Sequence, residues 1–220
     1  MTDPKSFFLT PQLSDYLVAH STPVDEVQQW LIDETRAQVG RWVVMQIPPE
    51  QGAFMTLLVR ALGVRNAVEV GTFTGYSAIA IARGLPADGH LLCCDVSEEW
   101  TTIARRAWEA AGVAHKIELK LAPALDTLRA LPAEEHLDLA FVDADKPAYA
   151  AYYEELLPRL RTNGVILVDN TLWSGAVVDD VADDVNTVAL RAFNDMVAGD
   201  DRVEVALLTL GDGLTVIRKR

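Results

Sequence analysis

The chain has 220 residues, half of them hydrophobic, and 19 Lys and Arg stand against 32 Asp and Glu for a formal net charge of −13. That length and apolar content suit an α/β domain with a sizeable core and exclude a disordered chain. The acidic balance, without a basic stripe, excludes a nucleic-acid footprint, and no apolar run reaches the roughly 18 residues of a membrane span.

Met1-Thr-Asp-Pro-Lys5 lacks a basic region followed by an apolar segment, so a cytoplasmic protein with a small-molecule partner is expected. Residues 10–63 carry helical signals without a strand pattern. Ser21-Thr-Pro-Val-Asp-Glu reads as one helix start, and Pro48-Pro-Glu-Gln-Gly opens another, with Phe54, Leu57, Leu58 and Leu62 at helical spacing. From Asn66 onward strands and helices alternate. The strands are expected at Ala67–Val70, His90–Cys94, Ile117–Leu121, Leu137–Val142 and Val165–Val168. The intervening helices are expected from Tyr76, over Glu98–Ala111, near Ala124–Ala130 and over Tyr149–Leu160. Five strands with crossover helices imply a mostly parallel, doubly wound sheet with helices on both faces. After a helix near Val185–Val197, the runs Val203–Leu210 and Leu214–Ile217 flank Gly211-Asp212-Gly213 and read as an antiparallel hairpin at the sheet edge. The organisation expected is one domain over 1–220: a helical N-terminal cap at 1–63 and the α/β core at 64–220. The adjacent Cys93 and Cys94 lie in an apolar run and read as buried free thiols.

The segment Val68-Glu-Val-Gly-Thr-Phe-Thr-Gly-Tyr-Ser77 is a strand, a glycine turn and a helix start, where backbone can pass close to a ligand and free N–H groups are on offer. Its G-x-x-x-G spacing differs from the pattern that seats a pyrophosphate, which disfavours a nicotinamide dehydrogenase, and Glu69 would repel phosphate. A cationic amino-acid ligand fits better. Asp95, at the end of the second strand, is placed to accept hydrogen bonds from a ribose diol. Together they suggest an adenosine with a positively charged tail.

Two carboxylate clusters follow later apolar runs: Phe141-Val-Asp-Ala-Asp-Lys146 and Val165-Ile-Leu-Val-Asp-Asn170. Open α/β sheets place their chemistry at the carboxyl ends of such strands. Carboxylates and a neutral amide oxygen gathered there make a hard oxygen site, suited to Mg²⁺, Mn²⁺ or Ca²⁺. The four histidines, His20, His90, His115 and His136, lie apart and form no metal set, and no Gly-x-Ser-x-Gly elbow is present.

In these motifs, and in Met45-Gln-Ile-Pro-Pro-Glu-Gln-Gly52 and Val168-Asp-Asn-Thr-Leu-Trp-Ser-Gly175, the chain resembles the cation-dependent O-methyltransferases, the class I S-adenosylmethionine-dependent family that includes caffeoyl-CoA and catechol O-methyltransferases. The resemblance implies a Rossmann-like core and a homodimer. It implies that Glu69, Gly71, Thr72, Ser77, Asp95, Val96 and Ala124 surround S-adenosylmethionine, with Ile47 closing over it and Asp143 and Asp145 adding contacts. Asp143, Asp169 and Asn170 would hold a divalent cation, most naturally Mg²⁺. Lys146 resembles the general base, and Asp143, Lys146 and Trp173 would meet the substrate. The expected reaction is metal-dependent methyl transfer to a hydroxyl of a catechol-type molecule such as a hydroxycinnamate or flavonoid. The alternatives are a cofactor-binding module without catalysis, or a methyltransferase with a different acceptor. Tyr149, Tyr152 and Tyr153 read as helix packing. Lys5-Ser-Phe-Phe8 loosely resembles an acceptor-proximal lysine segment of the plant enzymes.

Overall fold

The computed structural model describes residues 9–220, so Lys5-Ser-Phe-Phe8 lies outside the described residues. The N-terminal region is helical, as expected: α1 (Pro11–Ala19), α2 (Glu26–Val39), a 3₁₀ segment (Gly40–Met45) and α3 (Pro49–Ala61). Asp25 starts α2 with a reciprocal cap, its carboxylate accepting from Gln28 N at 2.9 Å while the Gln28 amide oxygen accepts from Asp25 N at 3.3 Å. In α3 the apolar spacing marks the inward side except at one position: Phe54, Leu58 and Leu62 pack against the core beside Met55 and Val59. Leu57 is exposed, and the buried positions are Gln51, Gly52, Met55 and Val59. A polar residue therefore sits on the core-facing stripe.

The alternating region gives β1 (Asn66–Val70), α4 (Tyr76–Gly84), β2 (His90–Asp95), α5 (Glu98–Ala110), β3 (Ile117–Leu121), α6 (Ala124–Ala130), β4 (Leu137–Val142), α7 (Tyr149–Arg159) and β5 (Leu160–Val168). The chain ends with α8 (Val185–Ala198), β6 (Val203–Leu208) and β7 (Leu214–Lys219). The strands form one seven-stranded sheet in the order β3-β2-β1-β4-β5-β7-β6. β1 to β5 pair in parallel, and β7 enters antiparallel between β5 and the edge strand β6. β5 begins five residues earlier than the apolar run marks, because Leu160 already pairs with Leu137 before an irregularity in register.

Strand residues alternate between two apolar layers. Leu91, Cys93, Leu139, Phe141 and Leu167 face the layer containing Leu31, Met55, Val59, Ile79 and Ile81. Val68, Val70, Ala140, Val142 and Ile166 face Tyr149, Tyr153, Leu156 and Phe193. The period of two along each strand and the helices on both sides account for both cores. Val70 pairs with Cys94 and with Val142, and Val142 pairs with Val168. That register puts Gly71, Asp95, Asp143 and Asp169 on one sheet edge, where the chain order reverses between β1 and β4 and open α/β sheets bind ligands. Among the described residues, no helix is long and apolar enough to cross a membrane.

Candidate active site

β1 runs into a turn whose glycines are required first by the protein's own packing. Gly71 has φ +90°, and a Cβ there would lie 2.1 Å from the Asp143 carbonyl oxygen. Gly75, the N-cap of α4 at φ +87°, leaves no room for a Cβ against Trp108 Nε1 (2.6 Å) and Ala104 Cβ (2.7 Å). Asp95 ties the turn down: one carboxylate oxygen accepts from Thr72 N (2.9 Å) and Phe73 N (2.8 Å), and the other accepts from Ser97 N (2.8 Å). The cleft over this turn is lined by Gly71 to Ser77, by Met45, Gln46 and Ile47, and by Asp143.

Glu69 lies at the floor of this region, fully buried. Its Oε2 accepts from Cys93 Sγ at 3.4 Å, and its Oε1 has no hydrogen-bond partner among the described residues. Burial pushes Glu69 up to about 7 from 4.5, against the opposing pull of the Ser77, Cys93 and Thr72 side chains. Thr72 Oγ1 and Gln46 Oε1, both in residues lining the cleft, also lack partners among the described residues. Buried oxygens without donors are costly, and a ligand carrying ammonium and hydroxyl hydrogens would satisfy them.

The neighbouring strand ends carry the acidic site. Asp143 N donates to Val70 O (2.8 Å) and Asp169 N donates to Val142 O (3.0 Å), so each aspartate leaves its strand one residue past the ladder. Lys146 Nζ donates to Asp143 Oδ1 (3.1 Å) and to Tyr149 Oη (2.8 Å), and Tyr149 Oη donates to the Asp169 carbonyl (3.2 Å). Burial raises both carboxyls, Asp169 to about 7. The Asp143 charge adds to the rise at Asp169, while Lys146 draws Asp143 down. One ammonium thus serves the buried Asp169 carboxylate and the half-buried Asp143. Among the described residues no three His, Cys, Asp or Glu side chains cluster. Asp143 and Asp169 bring two carboxylates together and Asn170 follows directly in the chain; hard oxygen donors with an excess of negative charge are of the type that could hold a divalent cation.

The loop after β5 is bent sharply. Asn170, Trp173, Ser174 and Gly175 all have positive φ, at 59°, 48°, 51° and 86°. For a tryptophan this conformation is costly and persists only where neighbours impose it. The turn between β6 and β7 does so. Thr171 N and Oγ1 both donate to Gly213 O (3.0 Å), Leu172 N to Asp212 O (3.1 Å), and Ser174 N to Asp212 Oδ1 (2.5 Å). The Trp173 ring centroid ends 5.7 Å from Lys146 Nζ.

Of the residues expected from the sequence, Ile47, Gly71, Thr72, Ser77 and Asp143 line one cleft, with Glu69 at its floor and Asp95 bracing its turn. Asp143, Lys146, Asp169, Asn170 and Trp173 gather beside it. Val96 is 74% exposed, and Asp145 is exposed with Oδ1 accepting from Tyr152 Oη (2.7 Å). Neither they nor Ala124 line the cleft. Tyr149, expected as helix packing, is buried in the core against Phe193, and its hydroxyl in addition joins Lys146 to the Asp169 carbonyl. A second residue missed is Gln51, fully buried, whose Nε2 donates to Asp169 Oδ2 at 2.9 Å. The only sequence signal for Gln51 is its place inside the Pro48-Pro-Glu-Gln-Gly motif. Cys93 and Cys94 are buried free thiols, and Cys93 bonds Glu69.

Comparison with known proteins gives a consistent picture. A family model described as O-methyltransferase matches residues 19–220. Caffeoyl-CoA O-methyltransferase 1 of Zea mays is 40% identical over 188 residues, 81% of this chain and 73% of the maize protein. An O-methyltransferase from Bacillus cereus, solved in complex with SAH, superposes with a TM-score of 0.87 at 31% identity, covering 95% of this chain and 97% of the other. The O-methyltransferase TomG of Streptomyces achromogenes, involved in tomaymycin synthesis and solved with SAM, gives 0.86 at 31%, covering 94% and 96%.

Proposed function

This chain belongs to the O-methyltransferase family and is an S-adenosylmethionine-dependent enzyme of that class; we propose that it methylates a hydroxyl of a catechol-type small molecule with the help of a divalent cation. The observation that carries the reading is the double position of Asp143, which lines the cleft over the glycine turn and bonds Lys146 in the acidic cluster. Methyl donor and acceptor would meet at that residue.

In this reading Glu69, Thr72, Ser77 and Asp95 bind the donor, Ile47 covers it, and Val96, Ala124 and Asp145 make outer contacts. Glu69 supplies the carboxylate for the cationic tail, and the braced turn presents its backbone to the rest. Asp143, Asp169 and Asn170 would hold the cation, with Mg²⁺ favoured over Mn²⁺ or Ca²⁺. When bound, such an ion would supply Lewis-acid and template chemistry, making an acceptor hydroxyl easier to deprotonate for attack on the donor methyl. Lys146 Nζ, held by Asp143 and Tyr149, is the base in its neutral amine form, taking the proton from that hydroxyl and becoming ammonium. Trp173, pinned by the β6–β7 turn, offers a ring face near Lys146 for an aromatic acceptor. A net charge of −13 opposes the polyanionic tail of a coenzyme A ester, so a free hydroxycinnamate or flavonoid is favoured. We place this activity in a single domain over 1–220, with a helical N-terminal part to residue 63 and a Rossmann-like core from 64, acting as a cytoplasmic homodimer.

The test is to incubate the purified protein with S-adenosylmethionine and caffeate, with Mg²⁺ or with EDTA, and to follow S-adenosylhomocysteine and methylated product by mass spectrometry. Mg²⁺-dependent product is expected. Equal turnover in EDTA would remove the cation, and cofactor binding without any catechol turnover would remove the acceptor class.

A further inference from the structure

We propose that Gln51 is a positioning residue for the acidic pair: its buried amide fixes the orientation of the Asp169 carboxylate and thereby sets the affinity of the site for a divalent cation. The inference rests on the metal reading above and goes beyond it by assigning a role in the site to the N-terminal helical region.

Asp169 is held by one donor on each oxygen. Asn170 N reaches Oδ1 at 2.8 Å and Gln51 Nε2 reaches Oδ2 at 2.9 Å. Two donors on opposite oxygens fix the plane of a carboxylate, and each oxygen keeps a lone pair for a further ligand. The Asn170 bond is local to the chain. The Gln51 bond spans 118 residues and ties α3 to the end of β5.

Gln51 is itself tightly placed. It is fully buried in the first turn of α3, and its Oε1 has no hydrogen-bond partner among the described residues. Gly211 closes the other side, where a Cβ would come within 2.3 Å of Oε1. The amide is thus clamped between Asp169 and the β6–β7 turn. A buried amide with one oxygen unmatched packs less favourably than a hydrocarbon of the same shape, so its contribution lies in the hydrogen bond it donates. A neutral donor also suits this position, since a carboxylate would bring a third negative charge toward Asp143 and Asp169. Groups that orient metal ligands in this way typically govern affinity by about 10–100-fold.

The probe is Mn²⁺ alone, titrated into the purified protein and followed by the electron paramagnetic resonance of the free ion. Gln51→Met keeps the length of the side chain and removes the donor. Its Mn²⁺ dissociation constant is expected to rise about 10–100-fold while S-adenosylmethionine affinity stays within about twofold of wild type. In turnover the half-saturating metal concentration should rise by the same factor, with kcat at saturating metal within about threefold, a split that general damage to the fold would not produce. Gly211→Ala, which presses on Oε1 from the turn, should weaken Mn²⁺ binding in the same direction and serves if Gln51→Met does not fold. Unchanged Mn²⁺ affinity in a folded Gln51→Met protein, or in Gly211→Ala when Gln51→Met does not fold, overturns the positioning role alone. A wild-type protein that binds no Mn²⁺ overturns the metal reading and this inference with it.

Discussion

The two rims of the site are built by opposite means. The glycine-turn rim, the proposed donor side, is one contiguous piece of chain, from Glu69 to Ser77, shaped by backbone: two glycines at positive φ, a helix N-terminus, and a turn braced by Asp95. The acidic rim, the proposed acceptor side, is a set of side chains from α3, the end of β4, the 3₁₀ turn Lys146–Ala148, α7, the end of β5 and the β6–β7 turn. The first lies in one stretch of chain braced from β2, and the second exists only when six segments have docked. Damage to one should leave the other standing.

The sharpest way to break that separation is Asp169→Ala. It should lower divalent-dependent turnover by at least about 10³-fold while calorimetry finds S-adenosylmethionine affinity within about twofold of wild type. Loss of both would show that the rims are one cooperative unit. Next in size is Lys146→Ala, for which kcat should fall by about 10²–10⁴-fold near neutral pH with cofactor affinity retained. Raising the pH should restore part of the rate, because the acceptor hydroxyl then ionises unaided; a flat pH profile would argue against a base at this position.

Glu69→Gln strikes the other rim and should weaken S-adenosylmethionine binding by about 10-fold or more without moving Mn²⁺ affinity. It also carries a pH signature. The folded carboxyl, raised to about 7 by burial, keeps a proton that the unfolded chain releases near 4.5. Ligand-free protein should therefore lose stability as pH rises from about 4.5 to 7, with Glu69 contributing on the order of 3 kcal/mol of that loss. Asp169 has the same sign. Thermal melts across that window should show a shallower slope in Glu69→Gln than in wild type, and equal slopes would place the titration elsewhere. The smallest effect is expected for Asp212→Ala, which removes the acceptor of Ser174 N and should cost about 1 kcal/mol. Acceptor KM should rise a few-fold, with donor KM unchanged.

The contrast between the rims also explains which features were legible. Val68-Glu-Val-Gly-Thr-Phe-Thr-Gly could be read directly because a strand, a turn and a helix start are local events, although the reason for its glycines was not. Gly71 and Gly75 make room for Asp143 and for α5, neighbours that only the docked sheet supplies. Asp143 and Asp169 announced themselves as polar residues closing apolar runs. Tyr149 did not, because a tyrosine on an amphipathic helix looks like core until its hydroxyl is found between Lys146 and Asp169. Gln51 was hidden for the reverse reason. The apolar spacing of α3 points to Phe54, Leu58 and Leu62, which do pack on the core, and gives no reason to expect a buried glutamine one turn away beside Gly52, Met55 and Val59.

By itself the sequence determined the order of helices and strands, the doubly wound class, the family motifs and the two acidic strand ends, since each depends on periodicity and on residues close along the chain. Tertiary structure decided that Gln51 is buried with the inward side of α3, which hydroxyl and amide reach the acidic site, and which turn holds Trp173 beside Lys146. Those contacts join residues tens to more than a hundred positions apart, and their partners are chosen by where packed elements come to rest.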